Sequence, residues 1–407
     1  MPNPTDPSAL LLLIAGSALD PAPIIAEQRE QDPVCWLPGF DLWFVTRHED
    51  VRLLFADPRL TSDPRAHAGY KAPTVAGAER WLTEMPFRST PADPLSLGRR
   101  LIMAALTPRA AERTANRIRE VVDEYALLLR GRTDVVDLIR EFTAPVCSAV
   151  IGRILGVPSK GADEVRFQQL ARRVARGVRP FLSDEQRRET ESASVEMAEY
   201  VLQLVRERRE KPGEDMISDL VQASQTTHAS DEEIVGIVGA LASVGIGTPS
   251  AACARALRSL FHYPAQLALL RSDRALLPNA IEELMRYDSA LLLFPRYALE
   301  DFEFRGRSIK KGQLVALSLI GANRDPRVFP DNPDAVDIRR DTTEAVSYGH
   351  GSHYCPGANI ARVELRLMLD AALDFLPLNA RLLEDKIRWS SRGLASQMKS
   401  LPVDFAG

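Results

Sequence analysis

The segment Ser347–Gly357, which reads SYGHGSHYCPG, constrains this chain more than any other stretch of its sequence. It combines Cys355 with two histidines and three glycines, and an amphipathic helical pattern begins directly after it at Ala358. A cysteine at the start of a helix lies near unpaired N–H groups and the positive end of the helix dipole, and both favour the thiolate. Glycines allow a flat group to approach the backbone closely. The pattern therefore indicates a loop that presents a thiolate sulfur, an arrangement that can ligate heme iron.

Two other interpretations of this loop are open on the residues alone. Pro356 suits the first position of a helix, so Cys-Pro-Gly could be no more than a turn that starts one. His350, His353 and Cys355 could also bind a metal ion, but structural zinc usually has four ligands, often arranged as Cys or His pairs. The sequence contains no second pair of this kind, which disfavours zinc. By itself His350 is expected to be a solvated loop side chain.

The same loop resembles the heme-binding signature of the cytochrome P450 superfamily, an aromatic residue followed by Gly-x-Gly-x-His-x-Cys-x-Gly. The signature positions are held by Tyr348, Gly349, Gly351, His353, Cys355 and Gly357. The resemblance implies that Cys355 is the axial iron ligand of heme b (iron protoporphyrin IX), that His353 reaches a heme propionate, and that Gly357 lets the next helix pack beneath the ring. Tyrosine stands where the family usually has phenylalanine, and its added hydroxyl must find a hydrogen-bond partner or water.

Composition places the chain among globular proteins. Its 407 residues include 45% hydrophobic residues, enough for a large core. The net charge of −4 gives no sign of a nucleic-acid partner. Four widely separated cysteines form no disulfide framework and fit a reducing compartment. The apolar run from Ala9 to Ala15 is too short to cross a bilayer and has no basic segment before it, so we expect a cytoplasmic protein without a membrane anchor.

Hydrophobic periodicity predicts a mainly α protein with a small, segregated antiparallel β region, an α+β fold. Two short apolar runs around Pro38–Asp41 read as a β-hairpin. Helical spacing covers about 98–290 and 355–376, and the β-rich parts lie at about 30–60 and 290–320. No Gly-x-Gly-x-x-Gly loop appears in the sequence, which excludes a Rossmann domain. The resemblance covers nearly the whole chain and implies a single domain with the triangular helical heme-thiolate monooxygenase fold.

A long apolar helix is predicted from Ile234 to about His262. Ser230 and Glu233 form a capping-box pattern at its start, and a helix that is hydrophobic on nearly every side belongs in a core. Two glycines and Pro249 lie in its middle. They predict a kink or opened hydrogen bonds there.

The middle of this helix resembles the oxygen-activation stretch of the P450 family, in which a small residue and a glycine precede an acid and a threonine. Gly245 matches the glycine and Thr248 the threonine, but Gly247 occupies the position of the acid. In the family the acid and the threonine deliver protons, so the resemblance assigns Thr248, Gly247 and Gly245 to the catalytic centre. Without the carboxylate, protons must arrive through Thr248, Ser250, water or the substrate. We expect monooxygenation with altered coupling.

Glu283 and Arg286 lie three positions apart on a predicted helix and can pair on one face. Such pairs are common on solvated helices, but this one resembles the structural Glu-x-x-Arg motif of the P450 family. The family normally adds an arginine from a proline-rich segment, where this chain has Ala335. Arg339 or Arg340 could take its place.

Heme carries two carboxylates, and burying them requires cations. By resemblance, Arg296 at the start of a strand and Arg99 bind the propionates, although Leu95 replaces the histidine that accompanies Arg99 in the family. Either arginine could instead be an ordinary surface residue.

The substrate pocket is expected to be mostly apolar. Its candidate walls are Ala240, Val244, Thr248, Leu292, Leu293 and Phe294. Residues 62–96 are rich in Pro, Ala, Gly and Ser, and loops of this length are often functional. In the family the matching segment lies over the heme, so Trp81, Met85 and Phe87 are further pocket candidates, with simple packing of the loop as the alternative.

These expectations combine into a heme-thiolate monooxygenase that inserts one oxygen atom from O2 into a small apolar substrate of terpenoid, steroid, polyketide or fatty acyl type. The resemblance implies a ferredoxin-type electron donor, whose docking face would include Arg100, Arg109, Arg113, Arg117, Arg362 and Arg366. Arginine clusters are more often simply solvated. Two alternatives remain: an atypical heme-thiolate reaction (oxidative coupling, isomerisation or peroxide-driven oxidation), which the missing acid favours, and a non-catalytic heme sensor, which the lack of an effector domain disfavours.

Overall fold

A computed structural model describes residues 21–83, 97–105, 108–158, 161–176, 182–351, 354–389 and 397–406. Within these ranges the predicted fold class is confirmed. Helices form most of the body, and short strands gather into separate sheets.

The helices bury one face each, and the longest has buried residues along its whole length. In chain order they are α1 Ala22–Gln31, α2 His48–Ala56, α3 Ala78–Thr83, α4 Leu97–Ala105, α5 Pro108–Leu127, α6 Ala144–Leu155, α7 Ala162–Ala175, α8 Asp184–Glu210, α9 Met216–Thr227, α10 Asp231–His262, α11 Pro264–Ser272, α12 Leu277–Tyr287, α13 Leu319–Asn323 and α14 Ala358–Phe375. Short 3-10 or π-helical turns lie at Pro64–Ala66, Ile139–Thr143, Arg274–Leu276 and Glu384–Lys386.

The strands are β1 Val34–Leu37, β2 Leu42–Val45, β3 Leu60–Thr61, β4 Val135–Asp137, β5 Leu293–Ala298, β6 Phe302–Phe304, β7 Arg307–Ile309, β8 Leu314–Ser318, β9 Arg381–Leu382 and β10 Pro402–Asp404. The main sheet has the spatial order β1-β2-β8-β5-β3, a second sheet has the order β4-β10-β9, and β6 pairs with β7.

The main sheet confirms one predicted pairing and adds one that the sequence does not predict. β1 and β2 form the expected antiparallel hairpin around Pro38–Asp41, with Cys35 opposite Phe44. β2 then pairs in parallel with β8, with Trp43 opposite Val315, so the sheet is mixed rather than purely antiparallel. The two strands are far apart in the sequence and no turn joins them, so local periodicity could not reveal this pairing.

Helix α10 lies in the helical core. Its predicted capping box is formed: the Ser230 hydroxyl accepts from the Glu233 N–H, and the Glu233 carboxylate accepts from the Ser230 N–H. The helix continues without a break through Pro249. Of the helices in the described ranges, α10 is the one long and apolar enough to cross a membrane, but half of its apolar window is buried among its neighbours, as in the core of a globular protein.

The neighbours of α10 connect it to the cysteine loop. α10 packs against α6, α7, α8 and α14, and one apolar cluster joins its side chains to those of α6 and α14. Because α14 begins directly after the Cys355 loop, this packing holds the core helix and the loop in one unit.

Candidate active site

The Cys355 loop is a tight turn that leads into α14. The Cys355 N–H donates to the Tyr348 carbonyl at 2.8 Å, which closes the loop on itself. Gly349 and Gly351 have φ values of +79° and +68°, a region that other residues rarely adopt. Gly357 is the N-cap of α14, and a Cβ placed on it would lie 4.0 Å from the Cys355 Sγ. The loop therefore places the sulfur beside the start of α14, within van der Waals reach of position 357.

Cys355 differs from the other three cysteines in its exposure. Cys35, Cys147 and Cys253 are buried, whereas Cys355 is half-buried. Burial raises the pKa of the Cys35 thiol to about 12, and it also raises the pKa values of Cys147 and Cys253. Those three side chains act as small apolar core groups, and Cys355 is the sulfur that an external metal or cofactor can reach.

The middle of helix α10 has exposed residues, although the helical backbone continues through it. Val244, Gly247 and Thr248 are exposed in this largely buried helix, and their spacing of three and four positions puts them on one face. A Cβ on Gly247 would meet no atom within 4 Å, whereas a Cβ on Gly245 would lie 2.9 Å from the Ile151 Cδ1 of α6. Gly247 thus borders open space, whereas a side chain at Gly245 would displace Ile151 where α6 packs on α10.

The same stretch contains one backbone acceptor without its helical donor. Pro249 has no N–H, so the carbonyl of Gly245 lacks the usual partner four residues later. Thr248 is on the exposed face, but Ser250 is buried, and its hydroxyl lies 2.9 Å from the Thr143 hydroxyl. Of the two hydroxyls considered for proton delivery, Thr248 is accessible and Ser250 is already hydrogen-bonded inside the core.

Arg296 is a buried cation that forms no ion pair with any residue in the described ranges. Its side chain is 2% exposed and lies 5.0 and 5.8 Å from the ring centroids of Phe55 and Phe294. Its Nη1 donates to the Pro295 carbonyl at 2.9 Å, but the buried Nε and Nη2 make no hydrogen bond there. Burial lowers the pKa of Arg296 to about 10. A guanidinium held in this way suits an external carboxylate.

The Tyr348 ring has a cationic neighbour, but its hydroxyl has no hydrogen-bond partner among the described residues. The hydroxyl is buried and makes no hydrogen bond within the described ranges, and burial raises the pKa of the phenol. The Arg362 guanidinium lies 4.5 Å from the ring centroid. Arg362 is held there by bonds of 2.6 and 3.1 Å to the Glu282 carboxylate and of 3.0 Å to the Tyr354 hydroxyl. Arg362 therefore links the loop residues Tyr348 and Tyr354 to Glu282 on α12.

Glu283 and Arg286 on α12 form a fully buried ion pair. Arg286 Nε and Nη2 donate to the two Glu283 oxygens at 2.6 and 2.9 Å, and both side chains are 0% exposed. Arg340 Nε donates to Glu283 Oε1 at 3.2 Å, so Arg340, and not Arg339, takes the place of the expected arginine. Arg286 also donates to the carbonyls of Asn323, Pro333 and Ala335.

A small cavity lies between α3, α7, α8 and α10. Trp81, Val174, Met197 and Ala240 are among the residues that line it. Trp81 and Ala240 were pocket candidates from the sequence. Val174 and Met197 were not, because an apolar face on α7 or α8 looks the same in sequence whether it meets a cavity or a neighbouring helix.

The remaining candidates divide into three groups. Leu293 and Phe294 are half-buried on β5. Leu292 is more deeply buried: it is 5% exposed and packs in the apolar core of the main sheet, against which Leu293 also packs. Outside the described residues lie Leu95, Met85, Phe87, His353 and the side chains of Arg99 and Arg109.

Comparison with known proteins decides the family. The family profile described as Cytochrome P450 matches residues 44–378. This chain belongs to the cytochrome P450 family. Cytochrome P450 107B1 of Saccharopolyspora erythraea is 34% identical over 374 residues, which cover 90% of this P450 and 89% of the relative. The mycinamicin IV hydroxylase/epoxidase of Micromonospora griseorubida is 33% identical over 386 residues, 93% and 94% of the two chains.

Solved structures share the fold. P450BioI, crystallised in complex with an acyl carrier protein ligated to hexadec-9Z-enoic acid, aligns with a TM-score of 0.84 at 26% identity, over 98% of this P450 and 100% of that chain. The predicted fold, enzyme class and cofactor are thereby confirmed. The protein is a P450 monooxygenase, an oxidoreductase that binds heme b and uses O2, a redox partner and a small substrate.

The side chains of this P450 fit heme b at two points. Cys355 is a half-buried cysteine next to the start of α14, and the Nε and Nη2 of buried Arg296, which have no hydrogen-bond partner among the described residues, are suited to a propionate. These two groups would hold the iron and one carboxylate of the cofactor.

Replacing Arg296 with methionine should have opposite effects on the apoprotein and the holoprotein. Without heme, the substitution removes a buried charge that lacks an anion, so the free energy of unfolding should rise by about 1–4 kcal/mol. With heme, a propionate loses its cation, so transfer of heme to a scavenger protein should accelerate about tenfold. Denaturant unfolding of the apoprotein and absorbance during heme transfer measure the two effects.

The matched control for this prediction is Arg172→Met, at an exposed position on α7, which should change neither quantity. An Arg296→Met apoprotein that is less stable than the wild type, together with unchanged heme release, would contradict the assignment of Arg296 to a propionate.

Proposed function

We propose that this P450 inserts one atom of O2 into a small apolar molecule, with electrons from a separate ferredoxin and its reductase. The observation that carries the proposal is the exposed face of α10 formed by Val244, Gly247 and Thr248. It opens in the middle of a core helix that packs on α14, the helix next to Cys355. At such an opening, the apolar side chain of Val244 suits an apolar substrate. The hydroxyl of Thr248 suits the delivery of a proton beside that substrate.

Each residue of the proposed site has a separate task. Heme b, when bound, supplies the activation of O2. Cys355 binds the cofactor through its sulfur, and Arg296 fixes its orientation through a carboxylate. Thr248 and the Gly245 carbonyl, which Pro249 leaves without its usual helical donor, can hold a water molecule between them, since one offers an O–H donor and the other a lone pair. A proton can then reach the reaction site although position 247 has no carboxylate.

The substrate class that these observations favour is a macrolide, another polyketide or a fatty acyl compound, within the wider range that includes terpenoids and steroids. Two similarities support this class: one relative is a mycinamicin IV hydroxylase/epoxidase, and one neighbour in structure was crystallised with an acyl chain on a carrier protein. The candidate walls Ala240, Val244, Leu293 and Phe294 are apolar. We also place the protein in the cytoplasm, where its four cysteine thiols would remain reduced.

Restoring an acid by the substitution Gly247→Asp tests the proton route. A Cβ at this position meets no neighbour within 4 Å, and position 247 is exposed, so the variant should fold normally. If the missing carboxylate limits proton delivery, product formed per NADPH consumed should rise about two- to tenfold. Coupling is measured with a substrate found by a spectral-shift screen of macrolides and fatty acids.

Gly247→Asn is the control, because it adds the same volume without an ionisable group and should leave coupling unchanged. Equal coupling in the aspartate variant and the wild type would show that Thr248 and water already suffice.

The electron donor is expected to contact fewer arginines than the sequence predicts. Arg113 is ion-paired with Asp219 on α9, Arg117 donates to the Arg153 carbonyl at 2.9 Å, and Arg362 is bound to Glu282. These side chains stabilise the body, and their contacts make them poor sites for a docking test. Arg366, exposed on α14, is the better candidate for contact with an acidic ferredoxin.

Arg366→Glu should slow reduction by a [2Fe–2S] ferredoxin about fivefold at low salt, because a repulsive charge at the edge of an interface mainly lowers the association rate. The difference should shrink at high salt. Stopped-flow reduction under CO measures the rate. Arg172→Glu on α7 makes the same charge change elsewhere, and equal rates for the two variants would argue against docking at α14.

A second candidate function is a heme-thiolate reaction that needs fewer protons, such as peroxide-driven oxidation. The glycine at position 247 favours it, since no carboxylate occupies that position. Product formation with peroxide alone, at a rate above that with O2 and reductase, would select this alternative.

A further inference from the structure

Glu191 on α8 is a buried carboxylate that binds a loop. Its side chain is 1% exposed. One oxygen, Oε2, accepts three hydrogen bonds: from the Thr74 N–H at 2.9 Å, from the Thr74 hydroxyl at 2.8 Å and from the Val75 N–H at 3.1 Å. Burial of a carboxylate is unfavourable unless such donors compensate it. The three bonds therefore strongly favour the conformation in which residues 74 and 75 lie against α8.

This contact joins two walls of the cavity between α3, α7, α8 and α10. The first N–H of α3 donates to the Val75 carbonyl at 3.1 Å, so the bound turn continues directly into the helix that carries Trp81. On α8, Glu191, Ser194 and Met197 recur every three residues and share a face. Trp81 lines the cavity from one side, and Ser194 and Met197 line it from the other.

A second link between α3 and the body is exposed to solvent. Arg80 pairs with Glu232 at the start of α10, but their side chains are 47% and 46% exposed. Exposed ion pairs contribute little because water and salt screen them. The Glu191 contact is thus the stronger attachment of this wall.

We propose that Glu191 is a specificity-determining residue: by holding residues 74–81 against α8, it sets how closely Trp81 closes on an apolar guest. The inference rests on the proposed function, since it takes this cavity as part of the substrate site. A bulky apolar ligand leaves more slowly while the contact is intact. A small ligand that does not reach Trp81 is unaffected.

The test uses the full-length, heme-loaded protein and two azoles whose nitrogen ligates the iron: imidazole, which is small, and clotrimazole, which carries three aryl rings. Glu191→Gln replaces one acceptor oxygen by an NH2 group and removes the charge, so clotrimazole should dissociate about tenfold faster. Thr74→Val removes one donor and should give about a threefold increase. Imidazole dissociation should not change in either variant.

Glu199→Gln is the matched control, because it removes the same charge from an exposed position on the same helix. Its clotrimazole dissociation rate should equal that of the wild type. Hydrogen exchange supplies a readout that does not depend on the iron: the amides of Thr74 and Val75 should exchange at least about tenfold faster in Glu191→Gln.

Unchanged exchange at these two amides in Glu191→Gln would overturn the contact itself. Accelerated exchange with unchanged clotrimazole release would overturn its role in specificity. A wild-type protein that binds neither azole would instead overturn the proposed function, and with it this inference, so the two failures are distinct.

Discussion

Substitution of Cys355 by alanine is expected to abolish the strongly red-shifted absorption band that the reduced, CO-treated wild type should show. The band reports a thiolate bound to iron, and alanine cannot ligate a metal. Cys355 is the half-buried cysteine, and the other three thiols are sealed in the core, so no other sulfur can replace it. Product formation should fall to background. Difference spectra and iron content per chain measure the loss.

Cys35→Ala is the control for this prediction. Cys35 lies on β1 in the core of the main sheet and is 3% exposed, so its loss should leave the band intact. A Cys355→Ala variant with an unaltered red-shifted band would rule out the assignment of the thiolate ligand.

Arg286→Ala is expected to reduce the free energy of unfolding by about 3–5 kcal/mol, because it leaves the Glu283 carboxylate buried without its main cation. It also removes donors from the carbonyls of Asn323, Pro333 and Ala335. Arg340 alone, at 3.2 Å from Glu283, cannot compensate. Denaturant unfolding, followed by circular dichroism, measures the change.

Arg274→Ala is the matched comparison, since Arg274 pairs with Asp370 and Asp374 on the surface of α14. This variant should lose at most about 1 kcal/mol. A small effect for Arg286→Ala as well would mean that the Glu283 network is dispensable for stability.

Features encoded by neighbouring residues could be predicted from the sequence. The capping box of α10, the hairpin of β1 and β2 and the pairing of Glu283 with Arg286 all join residues a few positions apart. The parallel pairing of β2 with β8 depends on contacts between distant segments, which no local period encodes. The choice of Arg340 over Arg339 was likewise open, because adjacent residues in an irregular segment give no signal of which one turns inward.

At the candidate site, the sequence identified the residue types more reliably than their surroundings. Cys355 and Arg296 stand out by motif. In the structure Cys355 is partly exposed, as iron ligation requires, and Arg296 is buried without an anion among the described residues, as propionate binding requires. The packing role of Gly245 could not be predicted, since it depends on Ile151 from another helix. The ion pair of Arg113 with Asp219 is also a tertiary contact, so a row of helical arginines could not reveal which of them are engaged.

The contrast between one reachable sulfur and three sealed ones has a practical use. A thiol-reactive fluorophore added to the native protein would label a single position, Cys355, and only in molecules that lack heme. Fluorescence per chain would therefore count vacant molecules directly. Turnover numbers from preparations that are only partly loaded with heme could then be corrected without a separate heme assay.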